Sequence, residues 1–184
     1  MDDTVRLGVP LLTYSGMAAL AISAAFFDLR TRRIPNALVV MGAGLGVVLT
    51  IWQLGWAGSL EGLLGLVTGF ALFLPGYLLR MTGGGDLKLM AALGTFLGAK
   101  LIIYAFMLYI LAGVIWALAY SIYASIRRGC DPPFARYWAM LRTLIATGQF
   151  AYIRPRPNEF MGQRLPMAPA IAFGALMAPL LFSS

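Results

Sequence analysis

The sequence predicts an all-α polytopic membrane protein. The expected form is a bundle of about six transmembrane helices, both termini outside, with a cytoplasmic amphipathic segment between helices 5 and 6. Three observations predict it. Of 184 residues, 60% are hydrophobic and only 11% are charged, whereas roughly a quarter are charged in an ordinary soluble domain. The apolar residues fall into six runs near the length that crosses a bilayer. The Lys and Arg residues then collect on one side of a six-span arrangement, as short cytoplasmic loops require. This composition excludes a soluble globular chain and a disordered one.

The runs are taken in order. A spanning helix needs about 20 apolar residues. The first run extends from Val9 to Phe27, uncharged until Asp28. Asp2 and Asp3 precede it with Arg6 alone, so the positive flank of a signal peptide is missing and a retained helix is expected. The second run is Ala37 to Leu54, and the third is Leu60 to Leu79 with Glu61 near its start. The fourth, Asp86 to Ala99, is short and contains Lys88. The fifth is Leu101 to Ile126 and the sixth Leu165 to Phe182. The chain thus reads as one integral membrane domain over residues 1–184, with a surface segment at about 127–164. In that segment Trp138, Leu141 and Ile145 mix with Arg136 and Arg142, as in an amphipathic helix lying on the membrane surface.

Charge sets the orientation. Of the 14 Lys and Arg residues, all but Arg6 and Lys100 fall on one side, which is therefore predicted to be cytoplasmic. The net charge of +7 belongs to helix flanks. It points to anionic lipid head groups rather than to nucleic acid. Small residues recur four apart, as Gly42 and Gly46, Gly58 and Gly62, and Gly65 and Gly69. That spacing lets helix backbones approach closely in lipid.

The chemistry is narrowed by what the chain lacks. It has no histidine and one cysteine, Cys130. That excludes Ser-His-Asp and Cys-His triads and histidine or thiolate metal clusters. No metal and no cofactor are expected. Seven acidic residues remain: Asp2, Asp3, Asp28, Glu61, Asp86, Asp131 and Glu159. Ionisable groups at membrane depth are functional candidates, and topology puts Asp28 and Asp86 at the same cytoplasmic boundary. Glu61 falls at the opposite face. Asp131 and Glu159 lie in the basic surface segment, where they balance arginines. Each aspartate also has a structural role open to it. Asp28 can pair with Arg32 one turn on, and Asp86 can cap a helix. A cap does not need the three glycines before it, Gly83, Gly84 and Gly85. Those free the backbone to adopt unusual conformations and let an extended peptide approach. Lys88 could act on a neighbouring carboxylate, bind a lipid phosphate, or snorkel to the head groups. Two facing carboxylates share a proton. One can then take a proton from water while the other polarises a peptide carbonyl.

At this point the sequence resembles a known family. Gly83-Gly84-Gly85-Asp86 matches the Gly-x-Gly-Asp motif of membrane aspartyl proteases. Residues 83–94, with Asp28 followed by Arg32-Arg33-Ile34-Pro35-Asn36 and a tail Leu165-Pro166-Met167-Ala168-Pro169, resemble the type IV prepilin peptidases. The resemblance implies a multi-pass cell-membrane peptidase that removes the leader of prepilins at the cytoplasmic face. It implies Asp28 and Asp86 as the catalytic pair, and Arg32, Arg33, Pro35, Asn36, Gly83, Gly84, Gly85 and Lys88 as site-shaping or substrate-binding residues. The implied partners are the prepilin, with its helix and basic leader, and the bilayer. Larger members carry paired Cys-x-x-Cys motifs and an N-methyltransferase activity. A single cysteine argues against both here, and the chain is more similar to the short peptidases of tight-adherence (Flp) pili. Archaeal preflagellin peptidases are also similar. A proton- or ion-coupled transporter is the rival class, but no internal repeat supports it. A non-catalytic assembly factor is a third.

Overall fold

The computed structural model describes residues 10–79, 82–128, 142, 143, 146 and 167–182. Five helices account for nearly all of these, and no strand occurs among the described residues. They are α1 (Leu11–Thr31), α2 (Asn36–Leu54), α3 (Trp56–Leu78), α4 (Gly84–Arg128) and α5 (Ala168–Phe182). Four helices are long and apolar enough to cross a membrane: α1, α2, α3 and α4 as far as Ala119. α5 is apolar but shorter. The chain divides into two compact units, residues 1–113 with 166–184, and residues 114–165. The first holds the bundle described below. Of the second, only the end of α4 and Arg142, Thr143 and Ala146 are described. The rest of the surface segment, with Cys130, Asp131 and Glu159, lies outside the described residues.

α4 is the element that organises the bundle. It is not one straight rod. Gly98 has φ 71° and ψ 176°, which breaks the helix. That positive φ is open to glycine and strained for other residues. The break is a reversal. Run straight, Asp86 and Tyr109 would stand roughly 35 Å apart at 1.5 Å per residue. Instead the Tyr109 ring packs against Phe73 of α3, four residues beyond Gly69, which itself faces Met90 near the start of α4. The short fourth run and the long fifth run of the sequence are therefore the two limbs of α4, 84–97 and 99–128.

The first limb is wrapped by protein. Residues 89–97 are buried without interruption. A helix apolar on all sides is one enclosed by others. At 14 residues it rises about 21 Å, short of the roughly 30 Å hydrocarbon core. Its neighbours rather than lipid satisfy it, so its length is not set by the bilayer. In lipid the close fit of small residues, not water exclusion, drives such packing. The four-residue glycine spacing supplies that fit. Gly42, Gly46, Gly58, Gly62, Gly65 and Gly69 are all buried. A methyl group on Gly46 would overlap the Thr95 hydroxyl, and one on Gly65 would overlap the Gly94 carbonyl oxygen. On Gly69 it would stand 2.6 Å from the Met90 carbonyl oxygen. α3 and the first limb are thus antiparallel and backbone to backbone. α2 runs parallel to that limb, since Gly46 meets Thr95 while Asn36 meets Lys88.

α5 closes the bundle against α1 and the second limb of α4. The Tyr14 hydroxyl donates to the Leu176 carbonyl at 3.2 Å. Gly174 packs on the backbone of Ala105 and Tyr109, and the Tyr104 and Phe182 rings stack with centroids 4.4 Å apart. One end of the bundle then gathers the end of α1 and the starts of α2, α4 and α5.

Candidate active site

Asp28 does not end its helix as the sequence suggested. It sits in the last turn of α1, which runs on to Thr31. The helix stops because Arg32 adopts a left-handed conformation, φ 54°, and its N–H closes on the Asp28 carbonyl at 2.9 Å. Thr31 Oγ1 secures the exit by donating toward the carbonyls of Phe27, at 2.8 Å, and Arg33, at 3.0 Å. Pro35 then occupies the N-cap of α2 with φ −60°, a position that suits a residue with no N–H. The short Arg32-to-Pro35 turn therefore fixes where Asp28 points.

The Asp28 carboxyl turns inward and is only 7% exposed. The amide of Ala168 donates to its Oδ2 at 3.0 Å, and the Met167 amide is also within its reach. Ala168 is the first residue of α5. Helix starts leave N–H groups without intrahelical partners. Pro169 removes one such donor, and the Ala170 and Ile171 amides both return to the Met167 carbonyl at 3.1 Å. The Ala168 N–H is left for Asp28. The Arg32 charge also acts on Asp28, as its place one turn on suggests.

Asp86 is half-buried at the third position of α4, not at its cap. Gly83 precedes the helix. Its N–H donates to Asp86 Oδ2 at 3.2 Å, and the Asp86 N–H returns to the Gly83 carbonyl at 3.1 Å. This is the acidic half of a capping box, rather than the simple cap that was one role open to Asp86. The glycine run differs from expectation too. None of Gly83, Gly84 and Gly85 has a positive φ. Packing leaves room for a side chain at Gly84 and Gly85, whereas a methyl on Gly83 would crowd the Asp86 carboxyl. The nearest atoms to an added methyl are Asp86 Oδ2 at 3.2 Å, a Tyr77 ring carbon at 3.4 Å and Ile34 at 3.6 Å.

The two carboxyls lie near enough for the Asp28 charge to act on Asp86, although they are far apart in sequence. No hydrogen bond joins them among the described residues. Lys88 is exposed and donates to Asn36 Oδ1 at 3.1 Å, clamping the starts of α2 and α4 together. Arg33 is exposed at the rim. Glu61 stands next to Gly98, at the far end of the first limb, and does not join the pair. Among the described residues no three acidic or thiol groups gather around a metal position.

Two groups escaped sequence reasoning. Tyr109 looks like one more aromatic in an apolar run, and the Ala168 amide has no side-chain signature at all. The Pro166-to-Pro169 spacing around Ala168 was the only available hint.

A helical, multi-pass membrane protein with two aspartates at one end of its bundle is the class that fold and site define. The comparisons make it narrower. The profile of the type IV leader peptidase family matches residues 16–118, and the chain belongs to that family. It is 28% identical over 182 residues to a prepilin leader peptidase/N-methyltransferase of Bacillus subtilis (strain 168), covering 95% of this chain and 58% of that protein. The chain thus spans less than two thirds of that relative's length. No solved structure matches it.

Proposed function

We propose that the chain is an aspartic endopeptidase that removes the leader of type IV prepilins, of the Flp type, at the cytoplasmic face of the cell membrane. The observation that supports this reading is that the end of α1, with Asp28, and the start of α4, with Asp86, lie at one end of the bundle, near enough for the Asp28 charge to act on Asp86. Family membership supports leader processing. In this reading the two limbs of α4 and α5 complete six crossings with both termini outside, which leaves the basic turns at Arg30 to Arg33 and Lys88 cytoplasmic. One carboxylate takes a proton from water as the water oxygen bonds to the scissile carbonyl carbon. The other carboxyl hydrogen-bonds the carbonyl oxygen. Collapse of the tetrahedral species breaks the C–N bond, and the proton passes to the leaving amine. No N-methyltransferase step is proposed, since one cysteine cannot supply paired Cys-x-x-Cys motifs.

The glycine run is where the substrate backbone lies. Among the described residues packing does not require glycine at 84 or 85, and Thr82, just before the run, has a buried hydroxyl with no hydrogen-bond partner among the described residues. A buried polar group of that kind usually has one, and an extended peptide offers it. Exchange of Gly84 and Gly85 for alanine is therefore expected to leave the melting temperature in detergent unchanged. Leader removal should fall about tenfold or more, the scale of a 1.4 kcal/mol misplacement. Full activity would remove the glycines from the substrate site.

The Ala168 amide offers a second check. Proline is well tolerated at the first position of a helix, so Ala168→Pro deletes the N–H that holds Asp28, at the cost of ring carbons added to a buried position. Cleavage by that variant should drop, while Ala168→Gly, which keeps the N–H, should cut normally. Equal rates for the two would show that this bond does not position Asp28. The whole reading is tested by reconstituting the protein in lipid with an Flp-type prepilin and a preflagellin. Loss of the leader from the first in preference to the second is the expected result.

A further inference from the structure

We propose that the Tyr109 hydroxyl is a third catalytic group, donating a hydrogen bond to the scissile carbonyl oxygen as that oxygen gains negative charge. The proposal rests on the peptidase reading above and extends it to a residue outside the recognised motifs.

The helix pairing places Tyr109. Gly65 faces Gly94 and Gly69 faces Met90 across the antiparallel α3–α4 contact. Four residues along α3 answer four residues back along α4. The next step brings Phe73 to the level of Asp86. The Tyr109 ring lies against Phe73, with centroids 4.9 Å apart and planes at 37°. The reversal at Gly98 gives the same answer, since Tyr109 is 11 residues beyond it and Asp86 is 12 before it. The position is held rigidly. Phe106 packs against both Phe73, at 5.5 Å, and Tyr109, at 5.9 Å. On the other side the Tyr109 backbone is pressed against Gly174, where an added methyl would stand 2.9 Å from the Tyr109 nitrogen. Gly174 belongs to α5, the helix whose first amide holds Asp28. One helix therefore registers Tyr109 and Asp28 together.

Its hydroxyl makes no hydrogen bond to a described residue, and Tyr109 is only partly buried among them. The Asp86 charge reaches it. The bland alternative is an interfacial tyrosine that packs with its ring and wets its hydroxyl. In that case the hydroxyl does nothing for the reaction. A donor aimed at a developing oxyanion is worth about 100-fold or more in kcat. It requires no new bond to Tyr109, because the proton transfers run through water and the carboxyls.

Tyr109→Phe keeps every ring contact and removes only the oxygen. With the purified protein in lipid nanodiscs and a full-length prepilin, kcat is expected to fall about 100-fold. KM and the midpoints of the pH–rate profile should hold. Phe106→Leu, which disturbs the same cluster without touching a hydroxyl, should reduce kcat far less. Wild-type kcat in Tyr109→Phe would overturn the proposal, as would an equal loss in Phe106→Leu. Displaced pH midpoints would also overturn it, because they would make Tyr109 a positioning residue acting through Asp86. Asp86→Asn runs alongside. If that variant cleaves at the wild-type rate, the peptidase reading itself fails, whatever Tyr109→Phe does.

Discussion

Asn in place of either Asp28 or Asp86 stops leader removal while the protein still inserts and folds. The expected loss is about 10³-fold or more, since general acid–base groups contribute 10² to 10⁴ each and the two act as a unit. The substitution suits the question. Asn keeps the size and the acceptor oxygen of Asp. At position 28 it can still accept from the Ala168 amide, and at position 86 from the Gly83 N–H. The helix ends that both carboxyls secure are thereby preserved. Lost activity then reports lost proton chemistry rather than lost structure. Co-expression of a prepilin with wild type, Asp28→Asn and Asp86→Asn, read as the shift in pilin size on a gel, decides it. Processing by either variant would return the site to the transporter or assembly-factor classes.

Gly65→Ala is the second large effect, and it acts on the fold. The added methyl would overlap the Gly94 carbonyl oxygen, and the Gly98 Cα would stand only 2.9 Å from it. Those are backbone atoms, so no side-chain rotation relieves the contact. Overpacking a tight core costs about 1–3 kcal/mol and sometimes more, and backbone contact belongs at or above the upper end. The damage lies where it matters most. Gly94 and Gly98 are on the buried limb that carries Asp86 and then reverses toward Tyr109. Gly65→Ala should melt well below wild type in detergent and lose activity in proportion. Gly44→Ala, where nothing lies within 4 Å of an added methyl, should be neutral. Similar melting of the two variants would mean that α3 and α4 are less closely packed than described.

Much of this fold was readable in advance, for identifiable reasons. The ends of α2 and α5 fall within a few residues of the expected runs, because charge and proline mark them. α3 starts at Trp56 rather than Leu60. Gly55, with φ 63°, turns the chain in one residue, and an apolar run gives no sign of a turn that tight. The paired glycines were legible as packing sites but not as to partner. Only the structure shows that Gly46 answers Thr95 while Gly65 answers Gly94. A cap was one role open to Asp86, and it proved to be a third-position acid, since the same residue type serves both positions. Lys88 had three open roles, and its direct contact is with Asn36, a pairing that nothing in the chain announced.

The sequence by itself determined the chemistry available to this protein. Without histidine, and with one cysteine and seven acids, two aspartates beside basic, glycine-rich turns were the evident hydrolytic groups. Composition and spacing carry that kind of fact. The tertiary structure decided which groups stand together. Asp28 meets an amide 140 residues away, and Tyr109 returns to the level of Asp86 because one glycine takes a φ that strains other residues. Neither relation leaves a periodic trace in the chain. A backbone amide has no residue type, and a reversal at a single glycine looks like any other glycine in an apolar run. Contacts of this kind arise only when helices far apart in sequence pack at one level, which is why the folded bundle had to supply them.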